Sequence, residues 1–298
     1  MNIIADSAEK SRPPAQDAVA RPVFNYPRDY LSKRFVYLTI SPRARGLSIG
    51  VNLNPDKHCN FDCAYCEVDR RVPTAGAAID LSVLATELES TLALVTSGNL
   101  REQSPYSHMP PELLRLRHVA ISGDGEPTLC PQFREAVETV VHVRATSRGP
   151  FFKIVLITNA SNLDAPQVQE GLRLFTRDDE VWAKLDVGTQ EQMNLVNKSE
   201  VPIEKILSNI LLVARQRPVV IQSLFPAVNG CAPSEQDIEQ YAQRLKELAA
   251  AGAQIPLVQA YSATRPTVDP QCGHLPLRTL SRIAQTVRSR TGLRAEIF

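Results

Sequence analysis

Nowhere in its 298 residues does the chain hold a run of eighteen apolar residues, so no membrane-spanning helix is expected. The opening segment is polar and lacks the apolar centre of a signal peptide. Residues 1–24 therefore read as a disordered tail ahead of a single domain over 25–298. With no mark of export, the expected compartment is a reducing cytoplasm, where the six cysteines stay thiols. An excess of one charge is also missing. Lys and Arg total 33 against 32 Asp and Glu, a formal net charge of +1, so the global field does not favour nucleic acid. That balance leaves local patches open. No fixed-period repeat is present beyond an alternation of strand-like and helix-like segments. What remains is 43% hydrophobic and 22% charged, enough to bury a large core and unlike a disordered or fibrous chain.

The cysteines that do occur are concentrated. Cys59, Cys63 and Cys66 form a C-x3-C-x2-C run with Tyr65 just before the last of them. Three thiolates so close can hold three corners of a [4Fe–4S] cube, while the fourth iron lacks a protein ligand. An open position of that kind marks a reactive site rather than a structural one. Zinc bound by the same three thiols with His58 or a distant ligand is the competing reading. Structural zinc usually uses two paired half-sites, and no second half-site is present.

Short apolar runs alternate with helix-like segments along the rest of the chain. Buried parallel strands are expected near 47–54, 118–122, 153–158, 181–186, 219–225 and 256–262. Asp80 is placed to cap a helix carrying Leu84, Leu88, Leu92 and Val95 on one face. Ser234 and Asp237 form a capping-box pattern before Ile238, Tyr241, Leu245 and Leu248, with Gly252 at the far end. Pro202 fits the first turn of a helix over 203–216. The stretch 98–117 reads as a surface excursion with a short helix over 111–116, and 293–298 as a short edge strand.

Strands alternating with helices predict an α/β fold: a partial (β/α)6 barrel, TIM-barrel-like and incompletely closed. The unusual residues fall where the strands end. The cysteine run follows the first, Gly123-Asp124-Gly125-Glu126-Pro127 the second and Asn159 the third, while Lys184 and Asp186 lie at the end of the fourth. In β/α barrels catalytic groups gather at the C-terminal strand ends, so these four sets are expected to meet at one mouth.

Gly-Asp-Gly alone is a common turn. Two carboxylates in five residues would repel a phosphate, whereas a cation suits them. The glycines permit close backbone approach, and Glu126 with nearby backbone could hold an ammonium group. Lys184 and Asp186 read equally well as a buried ion pair. Gln222, Gln259 and Tyr261 are candidates for substrate contact, with ordinary buried hydrogen bonding preferred. Arg265 is placed to bind an anion, and Trp182 reads as core.

Together these blocks resemble the radical S-adenosylmethionine (radical SAM) superfamily, and within it the group related to wyosine synthetase of tRNA. The likeness runs from about Ser41 to Thr267 through SPRARGLSIGVNLNPDKHCNFDCAYCEV, GDGEPTL, LITNAS, VWAKLDVGT, VVIQSLF and LVQAYSATRPT. It implies Cys59, Cys63 and Cys66 as ligands of a [4Fe–4S] cluster and Tyr65 beside the cofactor, S-adenosyl-L-methionine. Gly123, Asp124, Gly125, Glu126 and Pro127 match the methionine-binding block. Asn159, Lys184 and Asp186 match positions that contact the cofactor or the substrate. The implied reaction is reductive cleavage to methionine and a 5′-deoxyadenosyl radical that takes hydrogen from a substrate. An external donor of flavodoxin or ferredoxin type would supply the electron.

The chain departs from its wyosine-forming relatives in one respect: no cysteine precedes Cys59 to build a second cluster. Cys130, Cys231 and Cys272 follow the second, fifth and sixth expected strands without close spacing, and read as three independent residues. A small-molecule or peptide substrate is therefore expected rather than tRNA. The alternatives are tRNA-base modification and a non-catalytic Fe–S or zinc protein.

Overall fold

The computed structural model of the protein describes residues 28, 30–71, 78–147 and 149–298. The expected tail over 1–24 lies outside them. Among the described residues ten strands are present: β1 (Val36–Ser41), β2 (Gly46–Val51), β3 (Leu116–Ile121), β4 (Lys153–Thr158), β5 (Glu180–Lys184), β6 (Val219–Leu224), β7 (Ala227–Val228), β8 (Val258–Tyr261), β9 (Cys272–Gly273) and β10 (Ala295–Ile297). Eight form one curled sheet in the order β1-β2-β3-β4-β5-β6-β8-β10. Every neighbouring pair from β2 onward is parallel, and β1 pairs antiparallel with β2. Strands β7 and β9 make a separate small ladder.

The six expected parallel strands form, and β10 joins as the short edge strand. The hairpin partner β1 was not expected. Its signal was legible: Val36, Leu38 and Ile40 are buried against the outer core, while Tyr37, Thr39 and Ser41 alternate onto the inner, cavity-lining face. Some ends also move. The fourth expected strand stops at Lys184, leaving Asp186 two residues beyond it in a loop. The short helix expected over 111–116 is a 3-10 turn, Pro111–Leu114, and Leu116 already belongs to β3.

Seven α-helices among the described residues connect the strands: α1 (Leu81–Thr96), α2 (Phe133–Thr146), α3 (Pro166–Arg173), α4 (Gln190–Val196), α5 (Ile203–Ala214), α6 (Glu235–Ala250) and α7 (Leu277–Thr291). Asp80 Oδ1 caps α1 by accepting from the amides of Ser82 and Val83 at 3.0 and 3.2 Å. The capping box of α6 closes in both directions, Asp237 N to Ser234 Oγ and Ser234 N to Asp237 Oδ2. Pro202 is the N-cap of α5 rather than a residue of its first turn. No helix among the described residues is long and apolar enough to cross a membrane.

Strand alternation sorts the core into two parts. Val119, Ile121, Ile154, Leu156, Val181, Val219, Ile221 and Val258 belong to the main core with the helices. Val155, Trp182 and Val220 form a second cluster on the other face, with Ile157 and Leu257 packed against it. Trp182 is thus core, as expected.

At the N-terminal side of the strands, Asp179 ties several elements together. Its carboxylate accepts from Arg144 of α2 at 2.6 and 3.2 Å, from the amides of Ile154 and Thr176 at 2.7 Å each, and from the Thr176 hydroxyl. Burial alone would raise its pKa, but these bonds, Arg144 foremost, hold it below the ordinary carboxylate value. Its stabilisation is therefore complete above the unfolded-chain pKa of about 3.9 and is lost as pH falls through the lower folded value. Asp179→Ala, which leaves Arg144 buried and unpaired, is expected to cost about 3–5 kcal/mol at pH 7. Urea unfolding at pH 7 and pH 3 should show the gap to wild type shrinking at the lower pH.

Candidate functional site

The C-terminal ends of the parallel strands open onto a cavity of about 460 Å³. Cys59, Cys63, Tyr65, Cys66, Gly123, Asp124, Gly125, Glu126, Asn159 and Lys184 all line it. Two sequence-derived candidates do not: Pro127 opens a buried 3-10 turn (Pro127–Leu129), and Asp186 lies behind Lys184.

The cysteine loop is held along its length. Asp62 N and Ala64 N donate to the carbonyls of Asn197 and Val196 at the end of α4, and Cys66 N to Cys63 O. Before Cys59, the His58 carbonyl accepts from Glu126 N at 2.9 Å. That contact explains one glycine of the following turn: a Cβ on Gly125 would stand 2.0 Å from His58 O. A Cβ on Gly123 would stand 2.1 Å from Asn52 Oδ1. Close approach is what the glycines allow, as expected, and here the approaching group is the chain itself.

Glu126 is 3% exposed. Its Oε1 accepts from Thr128 N (3.1 Å), Thr128 Oγ1 (2.6 Å) and Thr158 Oγ1 (2.5 Å), and Oε2 from Asn159 N (2.7 Å). Burial raises its pKa, against the pull of those bonds. Accepting that one bond among the described residues, Oε2 keeps acceptor capacity at the cavity wall. Asn159 turns its side chain to the cysteine loop, Nδ2 donating to Asn60 Oδ1 at 2.9 Å. Asp124 instead accepts from Arg28 and Tyr30, in the segment before β1, and from Asn52, just after β2.

Lys184 and Asp186 form the buried ion pair, Nζ to Oδ1 at 3.3 Å. Burial lowers the Lys184 pKa, but Asp186 and then Tyr261 outweigh it, so the ammonium is held above its ordinary value. Asp186 also accepts from Tyr65 OH, Asn197 Nδ2 (2.8 Å) and Leu224 N (2.8 Å). Tyr65 is kept a phenol by burial and by the Asp186 charge.

Among the described residues, no three His, Cys, Asp or Glu side chains are grouped as ligands of a single metal ion. The fit of a cluster rests on the donor set. Three unpaired thiols on one loop face one cavity, and two of them receive polar donors, Arg70 Nη1 to Cys66 Sγ at 3.0 Å and Asn197 Nδ2 to Cys63 Sγ at 3.5 Å. Burial pushes the Cys59 and Cys63 thiols up to about 11 and about 12, so each is neutral until a positive centre replaces its proton. These residues fit a cluster.

Arg70, Asn197, Thr128 and Thr158 were not singled out from sequence. Arg70 lies four residues after Cys66, a signal that was available; Asn197 is brought in only by the fold. Gln222 donates to Gln259 at 3.2 Å, the buried hydrogen bonding preferred for both, while Gln222 and Tyr261 also line the cavity. Arg265 is paired with Glu67 at 3.1 Å rather than open for an anion. Cys130 is buried in the core, and Cys231 and Cys272 flank Val228 in the small ladder. None of the three lines the main cavity.

No family model matches the chain. Among curated proteins it is 28% identical over 222 residues to a UPF0026 protein of Helicobacter pylori, an alignment covering 72% of this chain and 62% of that one. The chain thus spans less than two thirds of that relative's length. Among solved structures, TYW1 with a lysine-pyruvate adduct bound superposes with a TM-score of 0.54 at 13% identity, covering 86% of this chain and 84% of that one. Streptococcus suis SuiB bound to S-adenosylmethionine gives 0.58 at 13% identity, with coverage of 86% and 52%.

Gly125→Ala tests the seating of the turn on the cysteine loop. A backbone carbonyl cannot swing aside, so a loss of about 1–3 kcal/mol and impaired iron loading are expected. Gly273→Ala, whose Cβ would stand 3.7 Å from that of Ala227, is the control expected to change little in thermal unfolding and iron content.

Proposed function

We propose, from the premise that the chain has the radical SAM fold and UPF0026 relatives, that it is a radical SAM enzyme. In this reading Cys59, Cys63 and Cys66 hold a [4Fe–4S] cluster, and S-adenosyl-L-methionine binds beside it. The observation that carries the reading is convergence: the three thiols, the 123–126 turn, Asn159 and Lys184 line one cavity at the strand ends. The chemistry supplied by the bound pair is reductive cleavage of the cofactor to methionine and a hydrogen-abstracting 5′-deoxyadenosyl radical.

The protein's own residues orient and shield. Arg70 and Asn197 donate to the cysteine sulfurs and would stabilise their negative charge. Glu126 Oε2 and the backbone of the turn offer acceptors for the cofactor's ammonium group. Tyr65 closes one wall, held by Asp186. The apolar cluster of Val155, Trp182 and Val220 keeps water from that part of the barrel interior.

The proposed substrate is a small molecule or peptide rather than tRNA, and 460 Å³ is within the usual range of small-ligand pockets. An external flavodoxin- or ferredoxin-like protein is proposed as the electron donor.

Protein purified without oxygen is expected to carry iron and sulfide, and each of Cys59→Ala, Cys63→Ala and Cys66→Ala to lose them. Full iron in the triple variant would sink the cluster assignment. Reduced wild type should form 5′-deoxyadenosine and methionine, which chromatography of the quenched reaction detects. A tRNA complex that weakens steeply between two salt concentrations would overturn the substrate choice.

A further inference from the structure

The cationic side chains lining the cavity are accounted for, with one exception. Arg28 pairs with Asp124, Lys184 with Asp186 and Arg265 with Glu67. Arg70 donates to Cys66 Sγ and to the carbonyls of Lys57 and Asp124. Arg43 lines the same cavity and, among the described residues, its side chain makes no hydrogen bond or ion pair.

Arg43 belongs to the turn between β1 and β2, which reaches across the open edge of the sheet. Beside it, Arg45 pairs with Glu296 of β10 at 2.9 Å. The Arg43 guanidinium lies over the Tyr261 ring, 4.2 Å from its centre, on the strand next to β10. Stacking holds the guanidinium plane and leaves its edge available. Its Nε is buried without a partner, an arrangement that costs free energy until an acceptor arrives.

We propose that Arg43 is the anchor of a substrate carboxylate, so that the enzyme's substrate is a small carboxylic acid. The inference rests on the reading of this cavity as a substrate site and names the class that fills it. A carboxylate matches the planar fork of a single guanidinium, whereas a phosphate dianion would bring more negative charge than one cation balances. Ser41, Ser48 and Thr39 line the cavity with hydroxyls that can serve the second oxygen. His118 lines it too, its pKa pushed down to about 3 by burial and then by Lys153 and Arg43, so the ring is neutral and can donate without excluding the substrate. The reacting end of such a molecule would face Lys184, whose ammonium lies 5.6 Å from the centre of the same Tyr261 ring and 4.9 Å from that of Tyr65.

The chain's single tryptophan reports on this space, because Trp182 packs edge-on against His118 with ring centres 5.4 Å apart. The experiment titrates anaerobically prepared full-length protein with benzoate, its neutral isostere benzamide and inorganic phosphate, following Trp182 emission. Benzoate is expected to bind saturably and in preference to both. Arg43→Ala and Arg43→Gln should weaken it roughly ten- to a hundredfold. Arg43→Lys should recover part of the loss, keeping the charge without the fork. Thermal unfolding of each variant separates lost binding from lost folding, the Gln variant preserving the side chain's bulk. Unchanged benzoate affinity in the folded Gln variant, equal binding of benzamide, or preference for phosphate would overturn the proposal. Displacement of benzoate by S-adenosylmethionine would assign Arg43 to the cofactor and also overturn it. Iron and sulfide are measured on the same samples: their absence from wild type would refute the radical SAM reading, while the Arg43 series would still report on the carboxylate site.

Discussion

Glu126 is a carboxylate with almost no access to water, and the site is arranged around keeping it satisfied. Removing such a group from water costs several kcal/mol unless hydrogen bonds replace its hydration. Here they come from Thr128, Thr158 and Asn159, on two different strand ends, while the Glu126 amide reaches back to His58. One residue thereby joins the ends of β3 and β4 to the start of the cysteine loop. Asp186 does the same at the other end, gathering Tyr65, Lys184, Asn197 and the Leu224 amide. The loop that carries the three thiols is strung between two buried carboxylates, which lie on the segments that follow β3 and β5 rather than on that loop.

The barrel separates its tasks along the strand axis. At the N-terminal ends Asp179 and Arg144 bind α2, β4 and the approach to β5 into one unit. Inside, Val155, Trp182 and Val220 fill part of the space with apolar side chains. The cavity lies where that filling ends and polar groups take over. Its lateral edge is not closed by strand pairing, because β1 and β10 stand at opposite ends of the strand order. Arg43 and Arg45 span the gap by side chain instead, through Tyr261 and Glu296.

Residue types and their spacing carried most of the architecture. The six parallel strands, the Asp80 cap and the Ser234 capping box were all legible, because they depend on neighbours within a few positions. The placing of the cysteine run, the glycine turn, Asn159 and Lys184 at strand ends followed from the same rhythm. Strand β1 was missed although its alternation is clean, since it adds no βα unit and its turn lacks the Asn-Gly or Gly-rich signal of a tight hairpin. Arg265 was read as placed for an anion, and the fold pairs it with Glu67; for Lys184 and Asp186 the ion pair, one of the two readings, is what forms.

The amino-acid order by itself determined the βα alternation, the three clustered thiols and the close-approach glycines, because local propensity and chain spacing specify these. Which carboxylates are saturated and which cation is left without a partner was decided only by the tertiary structure. Asn197 meets Cys63 across 134 positions, and Arg28 meets Asp124 across 96. Charge pairing in a buried site depends on distances of a few ångströms between residues that only packing brings together.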